Sequence, residues 1–255
     1  LAGADEDDLG HGRIGRGPLL LLTVRASPTL HGAPLTPRLV RAIALLLAPL
    51  GAGCAQDLCE PPAGSQETLF VRPDAGEASD ARRFARIQDA LDATTGEILT
   101  TVCVGPGVYR EELVVGPNVV LLGAGRDLVQ LRPPQANRGV EPATVDRTLL
   151  RILPSEAGPV LVRNLDLSGA ALCAEALGPG LTTLEDIRLN GCALGLRASG
   201  GALELRRVAL KNNSVQGLLL QNLDRAELLD VELVENGSGR GIDLGGGAPS
   251  PTLGG

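Results

Sequence analysis

The sequence is poor in the residues that usually build a globular core or a nucleic-acid-binding surface. It has no tryptophan or methionine, and its only aromatic residues are two phenylalanines and one tyrosine. The net charge is -7 at pH 7, so nucleic-acid binding is not expected, because its affinity comes largely from basic side chains that neutralise phosphates. The lack of aromatic rings also argues against a deep sugar-stacking groove.

Metal-binding patterns are absent as well. The two histidines, His11 and His31, lie close to the N-terminus, and the five cysteines include no C-x-x-C pair or other zinc spacing. We therefore expect no metal site, and nothing in the sequence indicates a cofactor.

What the sequence does contain is a short phrase that recurs four times over residues 162–233. The phrase reads apolar, two polar-leaning residues, apolar, any residue, apolar. Its middle apolar residues follow one another at steps of 22, 21 and 23, and they are Leu165, Ile187, Val208 and Val231. A period of this size made of short strands indicates a solenoid whose coils stack on one another. The sequence therefore predicts an all-β parallel β-helix with coils of about 22 residues.

The N-terminal part is interpreted as a non-periodic stretch followed by an export signal. Residues 1–37 show no periodicity and are not expected to belong to the fold. Residues 38–53 combine two arginines, a short apolar run and small residues, as signal peptides do. Cys54 follows directly and resembles the lipidated cysteine of bacterial lipoproteins, although Gly51 stands where that pattern prefers Leu. A cleaved signal without lipid and a buried amphipathic helix remain alternatives.

Export places the chain in an oxidising compartment, where disulfides persist. We expect a lipoprotein of the outer membrane or cell surface, held to the membrane only by its lipid; a periplasmic or secreted protein is the alternative. With Cys54 set aside, four cysteines remain, and they allow three pairings. Cys173 and Cys192 fall on neighbouring coils at positions that do not align, so a bond between them is not expected.

The remaining chain divides into a tether, a repeat domain and a tail. Residues 54–67 are rich in Pro, Gly and Ser and predict the lipid-anchor tether, and residues 68–246 predict the β-helix domain. This domain begins with a predicted strand over Thr68–Val71, and an amphipathic helix over 81–93 follows. The helix presents Phe84, Ile87 and Leu91 on one face and predicts an N-terminal cap. Residues 247–255 form a Gly/Pro-rich tail with no second cap, so a truncation is expected. The missing initiator methionine likewise indicates a fragment or an internal start.

Three segments of the repeat domain resemble a known family. They are Phe84-Ala-Arg-Ile87-Gln-Asp-Ala-Leu91, Val104-Gly-Pro-Gly107-Val-Tyr109-Arg-Glu111 and Val119-Val-Leu-Leu-Gly123-Ala-Gly125. In this order they resemble the opening of the pectin lyase-like superfamily, which includes pectinesterases, pectate lyases and bacterial surface proteins. Arg86 stands where Thr is common. The resemblance covers about 68–246 and implies a right-handed parallel β-helix, while it leaves the activity open.

The repeat aligns a row of outward positions on one sheet: Arg151, Glu175, Arg197, Leu219 and Asp243. The resemblance implies that polar residues on this face bind uronates or transfer protons, but cross-strand ion pairing is the simpler explanation. Arg151, Glu175, Arg197 and Asp243 are the candidate ligand-binding residues. No catalytic residue is assigned, because neither the lyase-type nor the pectinesterase-type constellation is found at matching positions.

Two further polar sets are aligned by the repeat. The first is Asn164, Asp186, Arg207 and Asp230, of which only Asn164 fits the asparagine stack that the resembled family often carries; the others predict charge pairing. The second is Asn190, Asn212, Asn213 and Asn236, expected in a turn because Asn tolerates left-handed backbone.

These features favour a non-enzymatic, lipid-anchored surface module that binds polysaccharide or cell-envelope components. The alternative is a truncated or divergent carbohydrate-active enzyme, either a polysaccharide lyase or a pectinesterase-like protein.

Overall fold

The computed structural model describes residues 59–73, 82–134, 147–237 and 242–245, the last of these as backbone only. The predicted signal peptide, the lipidation site Cys54 and the tail at 247–255 lie outside these ranges. Within them, no helix has the length and apolar character needed to cross a bilayer.

The described residues form an all-β parallel β-helix, as predicted. Inward-facing Leu, Val and Ile alternate with outward-facing polar residues along short strands, and each strand pairs in parallel with its counterpart on the neighbouring coil. In chain order the elements are β1 (Glu67–Val71), β2 (Arg83–Phe84), α1 (Ile87–Asp92), β3 (Thr100–Val104), β4 (Gly107–Arg110), β5 (Leu113–Val115), β6 (Val119–Gly123), β7 (Val129–Arg132), β8 (Thr148–Ile152), β9 (Val160–Arg163), β10 (Asp166–Ser168), β11 (Leu172–Leu177), β12 (Leu181–Glu185), β13 (Arg188–Asn190), β14 (Leu194–Ser199), β15 (Ala202–Arg206), β16 (Ala209–Lys211), β17 (Gln216–Gln221), β18 (Arg225–Leu229), β19 (Glu232–Val234) and β20 (Ile242–Gly245).

Three sheets run the length of the solenoid. Sheet A has the order β18-β15-β12-β9-β6-β3-β1-β2, sheet B has β19-β16-β13-β10-β7-β4, and sheet C has β20-β17-β14-β11-β8-β5. Sheets B and C each contain six strands in the described part of the chain, which gives about six coils. The register follows the steps of the repeated phrase, since Asp166 lies opposite Arg188, Arg188 opposite Ala209, and Ala209 opposite Glu232.

Stacked aliphatic side chains fill the interior. One buried column on sheet A consists of Leu69, Val102, Leu121, Val162, Leu184, Leu205 and Leu228. Each such side chain contributes roughly 1.5–3 kcal/mol by leaving water. One coil alone cannot offset the entropy of ordering its residues, so the coils stabilise one another.

In the four coils that carry the repeated phrase, a single left-handed residue makes the bend from sheet A to sheet B. Asn164, Asp186, Arg207 and Asp230 occupy this position with φ of 63°, 53°, 54° and 55°. The repeated phrase therefore corresponds to the end of a sheet A strand, the bend and a sheet B strand. The expectation of left-handed backbone for the second asparagine set is correct only for Asn212, whose φ is 54°.

The helix α1 is shorter than expected. Phe84, predicted to lie on its apolar face, belongs to β2, and among the described residues the predicted helix is wrong for 82–86 and for Ala93. Glu111 fixes the start of α1, because its two carboxylate oxygens accept hydrogen bonds from the backbone N–H groups of Ile87 and Gln88, both at 3.1 Å. These amides have no partner inside the helix. That α1 caps the solenoid stays a prediction.

The described residues contain two disulfides. Cys59 bonds to Cys103 on β3, and Cys173 on β11 bonds to Cys192, with Cα–Cα distances of 5.9 and 5.8 Å. The expectation that Cys173 and Cys192 do not pair is wrong. The expectation rested on a comparison of strand positions, but Cys192 lies in the turn between β13 and β14. The side chains of Cys173 and Cys192 are both buried in the core.

Candidate functional site

The predicted row on sheet C exists in the expected register. Glu175 lies opposite Arg151 on one side and Arg197 on the other, and Arg197 is followed by Leu219. Asp243 is the backbone partner of Leu219, so it lies two strands away from the nearest charged member of the row. The structure thus brings together three of the four candidate ligand-binding residues.

These three residues form a closed ion-pair ladder. Arg151 Nε donates to Glu175 Oε2 at 3.0 Å, and Arg197 Nε donates to Oε1 at 2.7 Å. The Glu175 side chain is 1% exposed, whereas those of Arg151 and Arg197 are 46% and 43% exposed. The two guanidinium groups therefore cover the carboxylate and present one net positive charge to solvent.

A second ion-pair network lies where sheet A bends toward sheet B. Glu185 accepts hydrogen bonds from Arg163 and Arg207, and Arg207 also donates to both oxygens of Asp186 at 2.8 Å. The Arg207 hydrogen bonds lower the pKa of the Asp186 carboxyl. Burial raises the pKa of Glu185, but the hydrogen bonds from the two arginines outweigh it and lower the pKa overall. The predicted charge pairing is confirmed for Asp186 with Arg207; among the described residues no ion pair involves Asp230.

Sheet B carries polar residues that the sequence reasoning did not single out. Asp166 and Ser168 face outward on β10, on either side of the buried Leu167. Arg188 lies across this face, donating to Asp166 Oδ2 at 2.9 Å and to Asp127 Oδ1 at 2.8 Å. Asp166 Oδ1 and Ser168 Oγ are buried and have no hydrogen-bond partner. The only sequence signal for them was the polar–apolar–polar pattern of a three-residue strand.

Asn213 and Asn236, which the sequence places in a turn, form a hydrogen-bonded ladder that was not predicted. Asn213 is fully buried, donates to Asn236 Oδ1 at 2.8 Å and accepts from the backbone N–H of Cys192 at 3.1 Å. Room for the ladder comes from Gly195 and Gly217, because a Cβ at either position would lie 2.9 Å from an asparagine Nδ2. The amide groups satisfy backbone groups at the turn, so these residues are structural.

The described residues hold no cluster of three or more side chains suited to a metal ion. Glu175 has both oxygens occupied, and Glu111 uses both of its oxygens on α1. Asp166 differs from both, because it combines burial with a carboxylate oxygen that has no partner.

Comparison with known proteins finds similarity at the level of solved structures only. No protein-family model matches the chain, and no curated protein sequence does. The structure is similar to the pectin methylesterase PemA from Erwinia chrysanthemi, with a TM-score of 0.47, 18% identity, and coverage of 61% of this chain and 54% of that enzyme. Two further matches are pectin methylesterases in complex with hexasaccharides, one of them a point mutant, each with a TM-score of 0.40, 14% identity, and coverage of 63% of this chain and 66% of the other. The matched region thus spans about half of the length of PemA.

Proposed function

We propose that the protein is an exported, lipid-anchored cell-surface β-helix that binds polysaccharide along the outer face of sheet C without catalysing a reaction. The observation that carries this proposal is the ladder of Arg151, Glu175 and Arg197. Guanidinium groups hold both oxygens of its carboxylate, so these three residues offer no free acid or base. What they offer is two half-exposed cations on strands about 9.6 Å apart, along the axis on which an extended anionic chain can lie.

Export is supported by the two disulfides. Disulfides persist in oxidising compartments and are rare where glutathione keeps thiols reduced. The lipid anchor at Cys54 is proposed from its position directly after an apolar run and small residues. Mass spectrometry of the membrane fraction should find acylated Cys54, and a soluble protein with an unmodified Cys54 would reject the anchor.

Binding without turnover is testable with polygalacturonate. The protein should cosediment with the insoluble polymer, and incubation with soluble polymer and calcium should release no unsaturated products. Release of such products would overturn the non-enzymatic assignment.

A carbohydrate-active enzyme, pectinesterase-like or lyase-like, is the second candidate, and Asp166 favours it. A buried carboxylate with one oxygen held by Arg188 and the other without a partner is a feature that nucleophiles and general bases share. The enzyme proposal expects methanol release from methyl-esterified pectin, or unsaturated products from polygalacturonate, and loss of that activity in Asp166→Asn. No turnover of either polymer by the wild-type protein would reject it.

A further inference from the structure

Two arginines on sheet B have no carboxylate partner among the described residues. Arg110 on β4 and Arg132 on β7 occupy the same position on neighbouring parallel strands. The residues that precede them, Tyr109 and Leu131, are buried in the core at 3% and 1% exposure, so both arginines face outward. Arg132 donates to Gln130 Oε1 at 3.2 Å, which holds its guanidinium over the sheet.

This pair differs from the other aligned arginines of the solenoid. Six outward arginines on the described strands pair with carboxylates of the same or a neighbouring coil: Arg151, Arg163, Arg188, Arg197, Arg206 and Arg225. Like charges directly opposite each other destabilise a sheet. Arg110 and Arg132 therefore create a local excess of positive charge, which an anion would relieve.

A buried hydroxyl lies next in the same row. Leu167 lies opposite Leu131, so the register brings Ser168 to the position beyond, alongside Arg132. Ser168 is 2% exposed and its Oγ has no partner. Buried polar atoms in native proteins are almost always satisfied by the protein, by water or by a ligand. Its neighbour Asp166 has the same property at Oδ1, while Oδ2 is neutralised by Arg188.

We propose that the outer face of sheet B binds an oxyanion between Arg110 and Arg132, with the Ser168 hydroxyl as a further donor. Guanidinium groups match the geometry of carboxylate and sulfate oxygens. Asp166 Oδ1 requires a hydrogen-bond donor, and a hydroxyl group of the ligand next to its oxyanion supplies one. The ligand class is therefore a sugar acid or a sugar sulfate, and this choice of a sugar rests on the proposed polysaccharide function. The site is distinct from the ladder on sheet C, because the two sheets form different faces of each coil.

Thermal unfolding in sodium sulfate and in sodium chloride of equal ionic strength tests the oxyanion site. Both salts can raise the Tm, and sulfate should raise that of the wild-type protein by about 3–5 °C more than chloride does when sulfate is present at ten times its Kd. We call this difference the sulfate excess. Arg110→Gln, Arg132→Gln and Ser168→Ala should lose most of this excess, whereas Arg225→Gln on sheet A should keep it. In low-salt buffer without sulfate, Arg110→Gln should have a higher Tm than the wild-type protein, because the like-charge pair is gone. An equal sulfate excess in all five proteins would overturn the site.

Titration with oligogalacturonate and with a sulfated oligosaccharide separates the sources of the oxyanion and the two proposals. If the wild-type protein binds one oligomer more tightly than the other, and Arg110→Gln lowers the affinity for it at least tenfold, that sugar is the ligand. A site-dependent sulfate effect without binding of either oligomer overturns the sugar assignment and the polysaccharide function, and leaves the oxyanion site standing. Equal oligomer binding by the wild-type protein and both arginine variants overturns the sheet B site and leaves the proposed function intact.

Discussion

Replacing Glu175 by Gln is the perturbation whose cost the sheet C ladder determines most directly. The substitution keeps the shape of the side chain but removes the charge that Arg151 and Arg197 share. The amide has one acceptor oxygen, so one guanidinium loses its partner and the new NH₂ group faces a donor. Glu175 is almost fully buried, so water cannot replace the lost interaction at the carboxylate position.

The expected loss follows from the two charge-assisted hydrogen-bonded contacts. A hydrogen bond to a charged group contributes about 1.5–3 kcal/mol. Both arginines are nearly half exposed, so solvent screens each ion pair and reduces its contribution to stability by roughly half. Glu175→Gln should therefore lower the free energy of unfolding by about 2 kcal/mol, and the urea midpoint by about 1 M, with the m-value unchanged.

Equilibrium urea unfolding with the disulfides intact, followed by circular dichroism, measures this loss. The matched control is Glu227→Gln, which breaks the exposed pair with Arg225 and should cost no more than about 0.5 kcal/mol. If Glu175→Gln costs no more than Glu227→Gln, the carboxylate does not hold the ladder together and the reasoning is refuted.

Three other expectations follow from the contacts. Glu111→Ala should cost about 1–2 kcal/mol and speed hydrogen exchange in α1, since two backbone amides lose their acceptor; unchanged exchange there would contradict the contact. Asn213→Ala should cost about 2–3 kcal/mol in thermal unfolding, because backbone partners of its buried amide are left unpaired. Asn212→Ala on the exposed side should cost only about 1 kcal/mol, which is the strain of Ala in the left-handed backbone of this position; similar costs would contradict the ladder. The pKa of Asp186 is lower in the folded protein than in the unfolded chain, where it is about 3.9, so the ionised carboxylate stabilises the fold at pH values above about 3.9. This contribution is lost as the pH falls through the pKa of the folded state. Arg207→Gln should therefore reduce stability at pH 7 and flatten its decline below about pH 4; an acid limb as steep as that of the wild-type protein would contradict the linkage.

The architecture could be predicted from the sequence because the same pattern of apolar residues recurs in four successive coils. Leu165, Ile187 and Val208 are buried one above another, and their spacing equals the register of sheet B. The row of Arg151, Glu175 and Arg197 was found in the same way, by extending the period to an outward position.

Features that occur once, or that depend on how the chain turns, were missed. The sequence aligned Cys173 and Cys192 by strand position, but a disulfide depends on the direction of the side chains at a corner, which the period does not encode. Asp166 and Ser168 occupy a strand too short to show alternation, and their lack of partners is a property of the packed face. The role of Glu111 likewise becomes visible only when its strand is placed against the start of α1.

The most direct test of polysaccharide binding on sheet C is calorimetric titration of oligogalacturonate into a neutral-ladder variant. Arg151→Gln/Glu175→Gln/Arg197→Gln replaces the ion pairs by neutral side chains of similar length, and circular dichroism verifies the fold. Arg225→Gln on sheet A is the control, since it changes the net charge by the same amount. We expect the triple variant to lose at least about tenfold in affinity, equivalent to about 1.4 kcal/mol, while the control binds like the wild-type protein. Equal affinity in all three proteins would contradict the assignment of sheet C as the binding face.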